Sequence, residues 1–129
     1  MPVQITGLYA GLLAIVGLVL VTLVGQQRGR TNISLGDKGD RELIVANRRH
    51  MNFIENVPFA LLLIGLVELN GGAKWWVHGL GAALLAARII HPFGLDPDRM
   101  MLWPRIIGAG ATIIVQLLAA LTLLWMFVR

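Results

Sequence analysis

The segment Asn47-Arg-Arg-His-Met-Asn-Phe-Ile-Glu-Asn-Val-Pro-Phe59 holds the densest group of side chains able to do chemistry in this chain. At roughly 100° per residue, Arg48, Asn52, Glu55 and Phe59 fall within about 60° of one another on a helix. A cation, an amide and a carboxylate on one face suit a zwitterionic or anionic ligand. The bland alternative is a structural network, in which Arg48 and Glu55 neutralise one another across two turns with Asn52 between them. Pro58 removes a backbone hydrogen bond from the helix interior and frees a carbonyl near the stripe, although prolines are common in membrane helices. Farther along, Arg105, Ala109, Thr112 and Gln116 share a helical face, and Arg88 and His91 lie one turn apart. Glu55, Arg88 and Arg105 together predict a shared polar pocket toward one end of a bundle.

The frame that must position these groups is apolar. Of 129 residues, 57% are hydrophobic and only 14% are charged, whereas soluble domains carry about 25% charged residues. Lipid is the solvent this composition fits. Ile5 to Val24 is uncharged and long enough to cross a hydrocarbon core of about 30 Å. No basic region precedes it, so it reads as a retained transmembrane helix rather than a signal peptide. Gly7, Gly11 and Gly17 are expected to allow close packing along it. Gly25 to Gly39 is polar and reads as a loop, and Asp40 as the N-cap of a long helix that Gly71-Gly72 ends. Pro92 and Gly94 stop a third apolar run. A fourth starts at Asp96-Pro97 or at the competing Trp103-Pro104. Helices at about 4–25, 41–70, 73–91 and 98–128 then form one domain over 1–129. The fold class is all-α: an integral membrane four-helix bundle of up-down topology with four spans.

The formal net charge of +4 is a statement about topology before it is one about partners. Most basic residues, from Arg28 to Arg49 and from Arg88 to Arg105, lie in or near two inter-helix segments, while Lys74 and Arg129 lie at the other ends. The positive-inside rule puts those two segments in the cytoplasm and both termini outside it. No aromatic residues interleave with the charges, which argues against nucleic acid. The absence of cysteine excludes a disulfide framework and thiolate metal ligation, so a sulfur nucleophile must come with a ligand. No His and carboxylate cluster has metal spacing. His78 reads as a packing or interfacial residue, Glu68 as solvated, and Trp75, Trp76, Trp103 and Trp125 as interface anchors. Asp37, Asp40 and Glu42 read as capping and balancing a cytoplasmic loop. A proton-coupled exporter of the small multidrug type would be expected to place a lone carboxylate in helix 1, and Ile5 to Val24 has none.

The pattern Arg48-x-His50-x-Asn52-x-x-Glu55-x-x-Pro58, with Phe59 following, resembles the signature of the MAPEG family, the membrane-associated proteins of eicosanoid and glutathione metabolism. Gly25-Gln26-x-Arg28-x-Arg30, Arg88-x-x-His91 and Pro104-Arg105 resemble the same family, so the likeness covers nearly the whole chain. The resemblance implies a homotrimer of four-helix protomers, with glutathione as cosubstrate bound between neighbouring protomers and open to the cytosol. It implies that Arg48, Asn52 and Glu55 hold the peptide parts of glutathione with His50 beside them. Arg28 would reach the ligand from helix 1, and Arg88 and His91 from helix 3. Arg105 would be the catalytic residue that stabilises the thiolate. The implied function is a glutathione transferase or peroxidase acting on lipophilic electrophiles from the bilayer, without a metal.

Eicosanoid-synthesising members place hydroxyl-bearing side chains where this chain has Ile106, Ala109 and Leu95. The resemblance is therefore to bacterial members of broad or unknown activity, which implies a multi-pass protein of the bacterial inner membrane. The alternative it leaves open is a non-catalytic protein of the same fold that binds glutathione or serves a structural role.

Overall fold

The computed structural model describes residues 2–99 and 102–129. Within them the chain forms α1 (Gln4–Thr31), α2 (Arg41–Leu69), α3 (Lys74–Ile90), a single 3₁₀ turn η1 (His91–Gly94) and α4 (Trp103–Val128). The all-α bundle expected from the sequence is present. Successive helices run antiparallel, with α2 and α3 central and α1 and α4 at opposite corners. Leu13, Val57, Ala60, Ile64, Val77, Leu80, Leu84, Val115 and Ala119 interlock as the main core. Large apolar side chains such as Ile15, Leu18, Leu62, Ile113, Leu117 and Leu124 point outward, the arrangement required where the outer solvent is hydrocarbon.

Among the described residues three helices, α1, α2 and α4, are long and apolar enough to cross a membrane. The sequence predicted four spans. α3 has only 17 residues, about 25 Å at 1.5 Å per residue, and η1 continues its path for another turn.

Two boundaries differ from expectation. α1 does not stop at Gly25 but runs to Thr31, because Gln26, Gln27, Arg28 and Arg30 are good helix formers that outweigh Gly25 and Gly29. Arg30 Nε donates to Gln27 Oε1 at 2.6 Å, and basic residues in the last turn favour the helix C-terminus. Asn32, at φ 54°, then ends the helix in a conformation that asparagine tolerates. At the other boundary, α4 starts at Trp103, with Pro104 in its first turn. Asp96 Oδ1 accepts from the N–H groups of Asp98 and Arg99, a local turn that competes with a helix start at 98.

Asp40 caps α2 as expected, its Oδ1 accepting from Leu43 N at 2.9 Å. It also pairs with Arg30 at 2.6 Å, which ties the end of α1 to the start of α2. The Leu43 N–H, with Arg30 beside it, holds the Asp40 carboxyl below its ordinary pKa. A lowered carboxyl pKa stabilises the fold above the unfolded value and is lost as pH falls through the folded one. This connection therefore loosens only in acid.

The opposite end holds a second cap, which the sequence reading missed. Glu68 is not simply solvated: its carboxylate accepts from Ile5 N at 2.9 Å, Thr6 N at 2.7 Å and Thr6 Oγ1 at 2.6 Å. It thus serves the first turn of α1 from the far end of α2. Nearby, the Tyr9 hydroxyl meets His78 Nδ1 at 3.2 Å, joining α1 to α3.

Gly7 and Gly11 do not mediate packing within the chain, because a Cβ at either would meet nothing. Gly17 does pack closely as expected, against the Phe53 ring. Further close approaches include Gly81, where a Cβ would run into the Tyr9 ring, and Gly108, where it would press on the backbone of His91 and Ala87. Gly81→Ala is expected to destabilise the protein by about 1–3 kcal/mol, the usual cost of overpacking. Gly11→Ala, in open space, should be neutral or slightly stabilising. Denaturant titration of both variants in detergent micelles checks the contrast.

Candidate functional site

The polar residues of α2 divide between two directions. Val57, Ala60 and Ile64 are buried in the bundle core, and Arg48, Glu55 and Phe59 lie about half a turn away round the helix. All three are exposed, Phe59 by 54%. Among the described residues neither Arg48 nor Glu55 takes part in an ion pair, so the Arg48–Asn52–Glu55 network that the sequence left open does not form. The stripe is an outward surface. His50 is half-buried beside it.

Asn52 and Arg88 point inward and meet. Arg88 is only 2% exposed, and its guanidinium reaches two other helices. Nη1 donates to Asn52 Oδ1 at 2.8 Å. Nη2 donates to Gly108 O at 3.0 Å and Thr112 Oγ1 at 2.5 Å, while the Thr112 hydroxyl donates back to Gly108 O at 2.8 Å. The absence of a side chain on Gly108 is what lets α3 come this close to α4. A polar seam continues outward from this knot: Asn56 Nδ2 donates to Asn52 O at 2.8 Å and Gln116 Nε2 to Asn56 O at 3.2 Å. The face of α4 read from the sequence as Arg105, Thr112 and Gln116 is therefore the face that meets α2 and α3.

The remaining predicted site residues sit around this knot. His91 is buried in η1 against Gly108. Gly94 abuts the Arg105 backbone, so η1 places half-buried Arg105 one turn before Gly108 on α4. Arg28 Nη1 donates to the carbonyls of Ile33, Ser34 and Gly36 at 3.1–3.2 Å, which orders the α1–α2 loop. The structure brings Asn52, Arg88 and His91 together inside the bundle. Arg48 and Glu55 remain on its outer surface.

The family-model comparison gives a match to the MAPEG family over residues 6–125. The chain belongs to the MAPEG family. Its relatives include the inner membrane protein YecN of Escherichia coli K12, 36% identical over 122 residues, which cover 95% of this chain and 92% of that protein. The protein of the same name from Escherichia coli O6:H1 matches to the same extent. No solved structure matches significantly. Family membership and a relative named as an inner membrane protein agree with the spans seen here, and this MAPEG protein is a multi-pass membrane protein.

Sequence reasoning missed the role of Thr112 and Gly108 as acceptors for Arg88. The available signal was the absence of any carboxylate near Arg88 in the sequence, since a buried guanidinium must then find neutral oxygens. Thr112→Val, which preserves shape but removes both hydrogen-bonding roles, is expected to cost about 1–3 kcal/mol. Arg88→Lys should cost more, because one ammonium cannot reproduce a planar fork that spans three helices. Unfolding of the two variants in mixed micelles measures the order.

Proposed function

We propose that this protein is a membrane-bound glutathione-dependent transferase or peroxidase acting on lipophilic electrophiles, working as a homotrimer with glutathione bound between protomers. The observation that carries this reading is the outward polar stripe of α2. Hydrocarbon of about 30 Å spans about 20 helical residues, so measured back from Leu69 it ends near residue 50. Glu55 then lies roughly 7 Å inside it. A charge at such depth does not face lipid and calls for a protein or wet surface. A neighbouring protomer supplies one, and a zwitterionic peptide in the gap matches Arg48 and Glu55 in charge.

Within that gap the Arg88 knot has a positioning role. Arginine only donates, so it fixes the Asn52 amide with Oδ1 inward and leaves the Nδ2 donors for the stripe. His50 would stand beside the peptide. Arg28, through the loop it orders, and buried His91, through its contact with α4, would support the site rather than form its floor. Arg105 would face the thiol. A thiol of pKa about 8.5 is only a few per cent ionised at neutral pH. A guanidinium in a poorly solvated gap favours the thiolate and itself keeps its proton. The thiolate would then attack an electrophile or peroxide arriving from the bilayer, with no metal involved. The basic ends of the helices support an orientation with this site facing the cytoplasm and both termini outside.

A second reading has its own support. Ile106, Ala109 and Leu95 offer no hydroxyl beside the thiol position, which suits a protein that binds glutathione without turning it over. Titrating the purified protein with glutathione while following thiolate absorbance separates the two. A thiolate signal that Arg105→Ala reduces about tenfold or more at neutral pH supports catalysis. Binding without thiolate supports the second reading, and absence of binding overturns both.

A further inference from the structure

About 100° round α2 from Arg48, Arg49 lies where two cavities adjoin. One, of about 280 Å³, is an apolar groove lined by Ile15, Val19 and Leu23 of α1 and by Ile89 and Phe93 beyond Arg88. It follows α1 for about 12 Å. The other, of about 450 Å³, has mixed walls, with Gln27, Glu42 and Asp96 among apolar side chains such as Val45 and Leu95. Leu23 and Arg49 line both.

Arg49 forms no ion pair among the described residues. Its guanidinium makes one hydrogen bond, from Nη2 to Leu95 O at 3.2 Å, and its Nε is buried without a partner. Most of its five N–H donors are thus unused. A cation half-withdrawn from water with no carboxylate partner is a costly element unless an anion joins it. The carboxylates of the mixed cavity stand apart from it: Glu42 contacts Arg30 at 3.3 Å, and Asp96 uses Oδ1 for two backbone N–H groups, leaving Oδ2.

The geometry points to a binding site for a zwitterionic aminophospholipid of the surrounding bilayer. The phosphate sits at Arg49, the primary ammonium donates to Glu42 and Asp96, and one acyl chain lies in the groove between α1 and α3. Each part answers a feature of the cavities. The guanidinium, which has no ion-pair partner among the described residues, takes the anion. The two carboxylates take a cation a few bonds away, and the apolar groove opens toward the lipid. A choline head has no N–H to donate, and a glycerol head has no cation. Arg49 faces about 100° away from Arg48 on α2, although Arg88 and Leu95 line these cavities as well as bordering the proposed glutathione region.

The test is lipid retention. The full-length protein is purified in detergent, mixed with equal amounts of phosphatidylethanolamine, phosphatidylcholine and phosphatidylglycerol of matched acyl chains, and examined by native mass spectrometry. Phosphatidylethanolamine should be retained with roughly tenfold preference over the other two. Arg49→Gln should abolish that retention. Asp96→Asn combined with Glu42→Gln should bring phosphatidylethanolamine down to the phosphatidylcholine level while leaving the fold intact, since the amide side chain at position 96 still offers an Oδ1 acceptor to the local turn. Equal retention of the three lipids by the wild type would overturn the proposal. So would retention unchanged in the double variant, or no retained lipid at all, as a second copy seated on the groove would give.

Discussion

Arg88 carries a positive charge into the middle of the bundle, and among the described residues no carboxylate meets it. The charge is stabilised by neutral oxygens: an amide from α2, and a backbone carbonyl and a hydroxyl from α4. Such a solution demands accurate register, because each acceptor must arrive at hydrogen-bonding distance from a different direction. Gly108 follows from it, since a side chain there would hold α3 and α4 apart. Once the rotation of α2 is fixed by Asn52, so is the direction of everything else on that helix. Arg48 and Glu55 then have to point outward. An interior hydrogen-bond knot thereby determines what the outer surface presents.

This coupling explains why the Arg48–Glu55 stripe is a surface rather than part of a pocket within the bundle. The sequence predicted a shared polar pocket from Glu55, Arg88 and Arg105 at similar depth. Residue counting gives depth along a helix, but depth does not give direction. Arg88 turns in and Glu55 turns out, on helices that touch. The two side chains thus face different surroundings within one copy of the chain, and the glutathione site as proposed draws on a second copy.

Local signals were legible and distant ones were not. Asp40, Gly71 and Pro104 mark helix ends through their own backbone chemistry, and each lies at the end it marks. The continuation of α1 to Thr31 escapes a reading that weighs two glycines above the four helix formers around them. Glu68 is hidden for a different reason. Its partners are 62 and 63 residues away, and nothing near it in sequence announces them. The clue is at the other end, where Pro2-Val3-Gln4 offers α1 no side-chain cap and the exposed N–H groups must find an acceptor elsewhere. Glu68 is the one acidic side chain near that end of the bundle. The glycines show the same limit: Gly7-x-x-x-Gly11 fits a packing pattern but meets nothing, whereas Gly17, expected to pack closely, does so against Phe53. Gly81 and Gly108 make close contacts that were not foreseen.

Arg48 and Arg49 show how far one residue of rotation divides chemistry. They are neighbours of the same type, and composition or net charge cannot distinguish them. On the helix they diverge by about 100°, which puts Arg48 on the open stripe with Glu55 and turns Arg49 toward α1 and the Leu95 carbonyl. The first stands on a surface suited to a peptide ligand, and the second between an apolar groove and a partly polar mouth. Two such surfaces on one helix have different requirements. The stripe needs a protein or wet surface to shield its charges from hydrocarbon, whereas the groove beside Arg49 is already apolar and needs only an anion at one end. The two proposals therefore place protein contact and lipid contact on different sides of α2, and the same interior knot that fixes Asn52 keeps the two sides apart.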